Sequence, residues 1–147
     1  GARSFSIWNE AGELVYDSGS DLERITAERF PEHFNSDDEN KFDSRSDDKG
    51  PEPEGVAIGT IDGNTYAFIG LERIGGVAVY DISTPTAPEF VNYATSRNFA
   101  AGGSDAVELA PEGITFIAAA DSPSGDNLLV MSNEVSGSTT IYRIQAR

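Results

Sequence analysis

Pro-Glu-Gly occurs twice in this chain, and each time it opens a run with the same internal pattern. The first run, PEGVAIGTIDGNTYAFIGLERIGGVAVYDI, spans residues 53–82; the second, PEGITFIAAADSPSGDNLLVMSNEVSGSTTIYRI, spans 111–144. The second is four residues longer, and the excess falls in one turn, TIDGN against AADSPSGDN. On either side of that turn the copies register: Glu54 with Glu112, Glu72 with Glu134, Gly75 with Gly137, Tyr80 with Tyr142. Insertion confined to a turn is what a repeated supersecondary unit tolerates. A chain of this length is therefore constrained to stack copies of one small unit.

Each copy holds three short apolar runs separated by turn signals, in the first copy Val56 to Ile61, Tyr66 to Leu71 and Val77 to Ile82. Asp62-Gly63-Asn64 is a hairpin signal, and Gly75-Gly76 parts the next pair. A fourth run, Glu89 to Tyr93, follows the turn STPTAP. Four antiparallel strands per repeat is the pattern of a propeller blade. The interval from Glu54 to Glu112 is long for a blade, and the loop Ser96 to Leu109 accounts for the excess. Phe5 to Asn9 matches Val77 to Asp81 in alternation, with Glu13 to Asp17 as the outer strand after it.

The expected fold is all-β, a partial β-propeller of about two and a half four-stranded blades with one short helix in a loop. Residues 1–18 form a half blade, 19–53 a helix and acidic loop, 54–96 a blade, and 97–147 a blade lacking its outer strand. The helix rests on Leu22, Ile25 and Phe30 at helical spacing, ended by Pro31, with His33 beyond it as a surface or loop-packing residue. Phe68, Val77, Val79, Phe116, Leu129 and Ile141 are expected between blades, with Trp8 covering the first. So few blades do not close a ring, and open strand edges invite pairing. The chain reads as a fragment of a larger propeller, or as one that pairs with a second copy.

The charge limits partners. Twenty-five acidic against ten basic side chains give −15, which repels phosphate backbones and anionic lipid surfaces. Nucleic acid is excluded as a partner on this reading, and no apolar run is long enough to insert in a bilayer. With no Cys there are no disulfides or thiolate sites, and one His makes a multi-histidine zinc site or a Ser-His-Asp triad improbable. GARSFSIWNE has none of the regions of an export signal, so a signal for export would lie outside this chain.

What remains chemically is carboxylate. Antiparallel pairing puts the start of one strand beside the end of the next, so Glu54 and Glu72 share an edge, as do Glu112 and Glu134, and all four are expected to converge on one mouth of the channel. Asp47 and Asp48 lie in the loop leading there, SRSDDKGPEPEG. Like charges gathered this way need compensation, and a calcium ion is one remedy. The alternative leaves Glu54 and Glu112 as turn-capping residues, and Asp47 and Asp48 solvated or paired with Arg45 and Lys49. An EF-hand reading of Asp43, Asp47 and Glu54 fails on Arg45 and Asp48 at template positions. GLERIGG has no helix after it and is not a phosphate loop.

The runs FDSRSDDKGPEPEGV, YAFIGLERIGGVAVYDI, PEGITFI and LLVMSNEVSGSTTIYRI together resemble the C-terminal part of choice-of-anchor I proteins. These are large bacterial surface or secreted propeller proteins related to mesenchyme-specific cell-surface glycoproteins, and many are labelled alkaline phosphatases. The resemblance implies an extracellular, cell-surface or periplasmic location, a phosphomonoester substrate, and the remaining blades of a longer protein as partners. A weaker likeness runs to β-propeller phytases. It implies that Glu54-Gly55 with Glu72, and Glu112-Gly113 with Glu134, bind calcium, with Arg45, Lys49 or Arg73 as phosphate contacts. Two functions follow: a calcium-dependent phosphomonoesterase-like propeller, or a non-catalytic, calcium-stabilised surface or adhesion module.

Overall fold

The protein is described by a computed structural model covering residues 3–145. It is all-β apart from one short helix, in three antiparallel sheets of two, four and three strands, none of which closes on itself. β1 (Ser6–Trp8) and β2 (Leu14–Asp17) form the first sheet. The second is β3 (Pro53–Ile61), β4 (Asn64–Leu71), β5 (Val77–Asp81) and β6 (Glu89–Ala94), paired in chain order. The third is β7 (Pro111–Ile117), β8 (Asn127–Asn133) and β9 (Ser138–Ile144). The strand count of each repeat matches the sequence expectation. No helix among the described residues is long and apolar enough to cross a membrane.

Local chemistry explains the boundaries. β3 and β4 meet at Ile61 and Asn64, leaving Asp62 and Gly63 as a two-residue turn. Both have positive φ, 51° and 87°, which the twist of a tight hairpin demands. The helix, α1, runs over Asp21–Arg29 with acidic residues in its first turn and Arg29 in its last, as the helix dipole favours. It buries Leu22 and Ile25 and stops at Phe30, one residue before Pro31. His33 stacks on Phe99, with centroids 4.2 Å apart.

The four-stranded sheet is covered on both faces. One face carries Ile69, Leu71, Ala78 and Tyr80, packed with Leu22 and Ile25 of α1. Phe5, just before β1, meets Tyr80 there edge-on at 4.8 Å. The other face carries Ala57, Phe68 and Val77 against Leu129 and Met131 of β8. Fully burying side chains of this size stabilises by about 1.5–3 kcal/mol each, so the sheets hold one another face to face.

The burial expected of four side chains needs correction. Ile141 is 62% exposed and Trp8 59% exposed, because each points away from the four-stranded sheet, on the outer faces of the third and first sheets. Val79 and Phe116 are only half-buried. Gly55 lets the sheets approach, since a Cβ there would run into the carbonyl oxygen of Glu112.

Candidate functional site

Both Pro-Glu-Gly segments build the same corner. In each, the first pair in the ladder joins the proline to the end of the next strand, Pro53 with Leu71 and Pro111 with Asn133. The register then slips over Glu54-Gly55 and over Glu112. The residue before each proline is left-handed, Glu52 at φ 55° and Ala110 at φ 60°, a conformation that costs an ordinary residue about 1–2 kcal/mol. The corner is closed by a backbone bond from the next strand's end: Glu72 N–H to Glu52 O at 2.9 Å, and Glu134 N–H to Ala110 O at 2.8 Å.

What the corner carries differs between copies. Glu52, 1% exposed, points its carboxylate into a nest of three cations. Arg45 Nη2 and Arg73 Nε each donate to Oε2 at 2.8 Å, and Lys49 Nζ donates to Oε1. Arg45 also pairs with Asp48 at 2.9 Å, and Arg73 with Glu72 at 2.9 Å. Burial alone would raise the Glu52 pKa, but the hydrogen bonds and charges of Lys49 and Arg73 outweigh it and hold the group at about 2. Glu72 moves the other way: burial raises it, Glu52 and Glu54 add to the rise, and Arg73 opposes it. In the second copy Ala110 stands in place of Glu52 and Val135 in place of Arg73, so no such nest can form.

The residues singled out by sequence are therefore distributed as follows. Glu54 and Glu72 come together, joined by Glu52, with carboxylate oxygens within 4.8 Å of one another. Glu112 and Glu134 are exposed and lie outside that group, as do Asp47 and Asp48, both also exposed. Arg45, Lys49 and Arg73, the cations the sequence offers to a phosphate, all bond Glu52. Glu52 itself escapes a search for repeated acids. Its signal is a joint loss, since the second copy lacks both Glu52 and Arg73.

The three carboxylates lie close enough to offer a cation one oxygen each, and neighbouring side chains already compensate their charge. Both Glu52 oxygens accept from cations, and Arg73 pairs with Oε1 of Glu72. The like-charge problem that called for a metal is met by side chains instead. The melting temperature is accordingly expected to be the same, within about 1 °C, in calcium and in chelator. A calcium-dependent rise of several degrees that Glu54→Gln removes would restore the metal.

A third buried carboxylate lies where the third sheet meets the second. The loop after β6 carries Glu108, fully buried, whose Oε2 accepts from Ser96 Oγ at 2.7 Å and from the Tyr142 hydroxyl at 2.6 Å. Burial and the hydrogen bond to Glu108 together push the Tyr142 pKa upward. Arg97 from the same loop donates to the Arg73 carbonyl at 2.8 Å and to the Asp37 carbonyl at 3.1 Å. The two loops are thus fastened across the edge where the Glu52 nest sits.

The choice-of-anchor I domain family matches residues 1–85, which hold the first sheet, α1, the acidic loop and β3 to β5. The chain belongs to the choice-of-anchor I family. Among curated proteins it is similar to Gigasin-3a of Magallana gigas, 28% identical over 99% of this chain and 56% of that protein. It is also similar to the mesenchyme-specific cell surface glycoprotein of Strongylocentrotus purpuratus, 30% identical over 48% of this chain and 10% of that protein. The chain thus spans about half the length of the first relative and a tenth of the second. No solved structure matches it. The Glu52 nest lies within the family-matched span, whereas the whole third sheet lies beyond it.

Proposed function

We propose that this chain is part of a secreted or cell-surface β-propeller that serves as a non-catalytic surface module. The observation that carries the non-catalytic reading is the engagement of Arg45, Lys49 and Arg73 with Glu52. A phosphate clamp needs cations free to meet the developing charge of a phosphoryl group, and these three are held by a buried carboxylate. The surface location is supported by membership of the choice-of-anchor I family and by a relative named as a cell surface glycoprotein. The propeller reading is supported by a repeated antiparallel unit, four strands in the first copy and three in the second, whose sheets pack face to face in chain order. In it, further blades of a longer protein are the principal partners, and the ligand is a surface component rather than a phosphomonoester. Open strand edges leave pairing with a second copy as an alternative way to complete the stack.

The full-length protein, displayed on intact cells, tests both halves. Added protease should cleave it without lysis, and a chromogenic phosphomonoester should turn over no faster than in buffer, with calcium or with chelator. Calcium-dependent turnover that falls on changing Arg73→Ala would establish the phosphomonoesterase instead. Protection from external protease would overturn the surface location.

A further inference from the structure

We propose that Val56 and Ile58 seat in a glycine-bearing inner strand of a preceding blade, carried elsewhere in the same polypeptide; this rests on the propeller reading above. The joint between the second and third sheets shows the rule. There β7 inserts Ile114 and Phe116 against β3 and β4, at positions that only glycine permits. A Cβ on Gly59 would lie 2.6–2.7 Å from the Phe116 ring, and one on Gly70 2.7 Å from Ile114 Cδ1. On Gly55 it would lie 3.0 Å from Ile114 Cγ1.

Aligning the two copies puts Val56 where Ile114 stands and Ile58 where Phe116 stands. The first copy therefore presents the same two knobs toward whatever precedes it. Yet Val56 is 58% exposed and Ile58 54% exposed, on a face where Ala67, Ile69, Leu71, Ala78 and Tyr80 of the same sheet are buried. The first sheet explains the gap. In the alignment β1 corresponds to β5, a third strand, so β1 and β2 supply only the outer half of a blade. The missing half is an inner hairpin with small residues beneath each branched side chain.

A second copy of this chain is the poorer occupant. Its outward-facing sheet has Ile117 where β3 has Gly59, and Ser132 where β4 has Gly70, so the two sockets are filled by side chains. The relatives carry further chain, since this one spans 56% of Gigasin-3a.

These 147 residues hold no cysteine, and any thiol elsewhere in the full-length protein is first changed to serine. Ile58→Cys and, as an exposed reference in the β5–β6 turn, Thr86→Cys are placed singly in the full-length protein. Position 58 should react with a maleimide at least about tenfold more slowly than position 86, and equally fast in denaturant. A photo-crosslinker on that thiol should capture a segment outside these 147 residues. Val56→Cys gives the same reading should Ile58→Cys fail to fold. Equal labelling of 58 and 86, or a crosslink to a second copy or to another protein, would overturn the proposal. Surface exposure and phosphomonoester turnover are measured separately, so either reading can fail without the other.

Discussion

Replacing Glu52 with Gln is expected to lower stability at neutral pH by about 3 kcal/mol, the lower end of what removing one partner of a buried ion pair costs. The amide keeps the volume and loses the charge, leaving Arg45, Lys49 and Arg73 around a neutral group. The loss stays at the lower end because Asp48 and Glu72 still pair with Arg45 and Arg73. For a domain of this size, about 2–4 °C per kcal/mol places the drop in melting temperature at about 6–12 °C. Glu52→Ala with Arg73→Val, which copies the second unit, should cost less than the sum of the two single changes. A Glu52→Gln protein melting within about 1 °C of the parent would show that the nest contributes nothing.

The same carboxylate sets an acid dependence. Its pKa is held at about 2 in the fold against an ordinary value of 4.5. A carboxylate depressed by folding stabilises fully above its unfolded pKa, and that contribution is lost as pH falls through the folded value. At 1.36 kcal/mol per pH unit the contribution is about 3 kcal/mol. The parent should lose it between about pH 4.5 and 2, while Glu52→Gln should not. Glu72, raised by burial, acts in the opposite sense, since its protonation on acidification relieves a buried charge. Urea titrations of parent and variant at pH 7 and pH 3 read the difference: the gap between them should narrow at the lower pH.

Much of the fold is legible in the sequence because the unit is written twice. Two copies fix the strand register more firmly than periodicity in either alone, and the Asp62-Gly63 turn has its own chemistry. The faces of the terminal sheets are harder. In a stack, every sheet alternates apolar residues toward both neighbours, so Ile141 and Val79 carry the same signal. Only the structure shows that Val79 faces another sheet and Ile141 faces none. The site was legible in place and not in detail. Glu54 and Glu72 do meet, as antiparallel pairing requires, but the residue that organises them is the one without a repeat partner. Glu52 is read correctly only alongside Arg73, 21 residues on, and Arg45 across the loop, and such tertiary polar partners leave no periodic trace.

The sheet-to-sheet joint yields the second large effect, in which one substitution is expected to relieve another. Phe116→Ala removes a ring that lies on Gly59 and stacks on Phe68 at 5.7 Å and 11°. It should cost about 3 kcal/mol, the lower end for Phe→Ala because the ring is half-buried. Gly59→Ala in the parent places a methyl 2.6 Å from the base of that ring. The base moves only with β7 itself, so the sheets must part, at about 1–3 kcal/mol. With the ring gone the methyl has room, and alanine in a strand is favoured over glycine by about 0.5–1 kcal/mol. The double variant should therefore be as stable as Phe116→Ala alone or slightly more so, a coupling of about 1–3 kcal/mol in a double-mutant cycle. Strict additivity would mean that Gly59 serves its own strand rather than its neighbour. The glycine pattern could then no longer be read as a code for where one sheet receives the next.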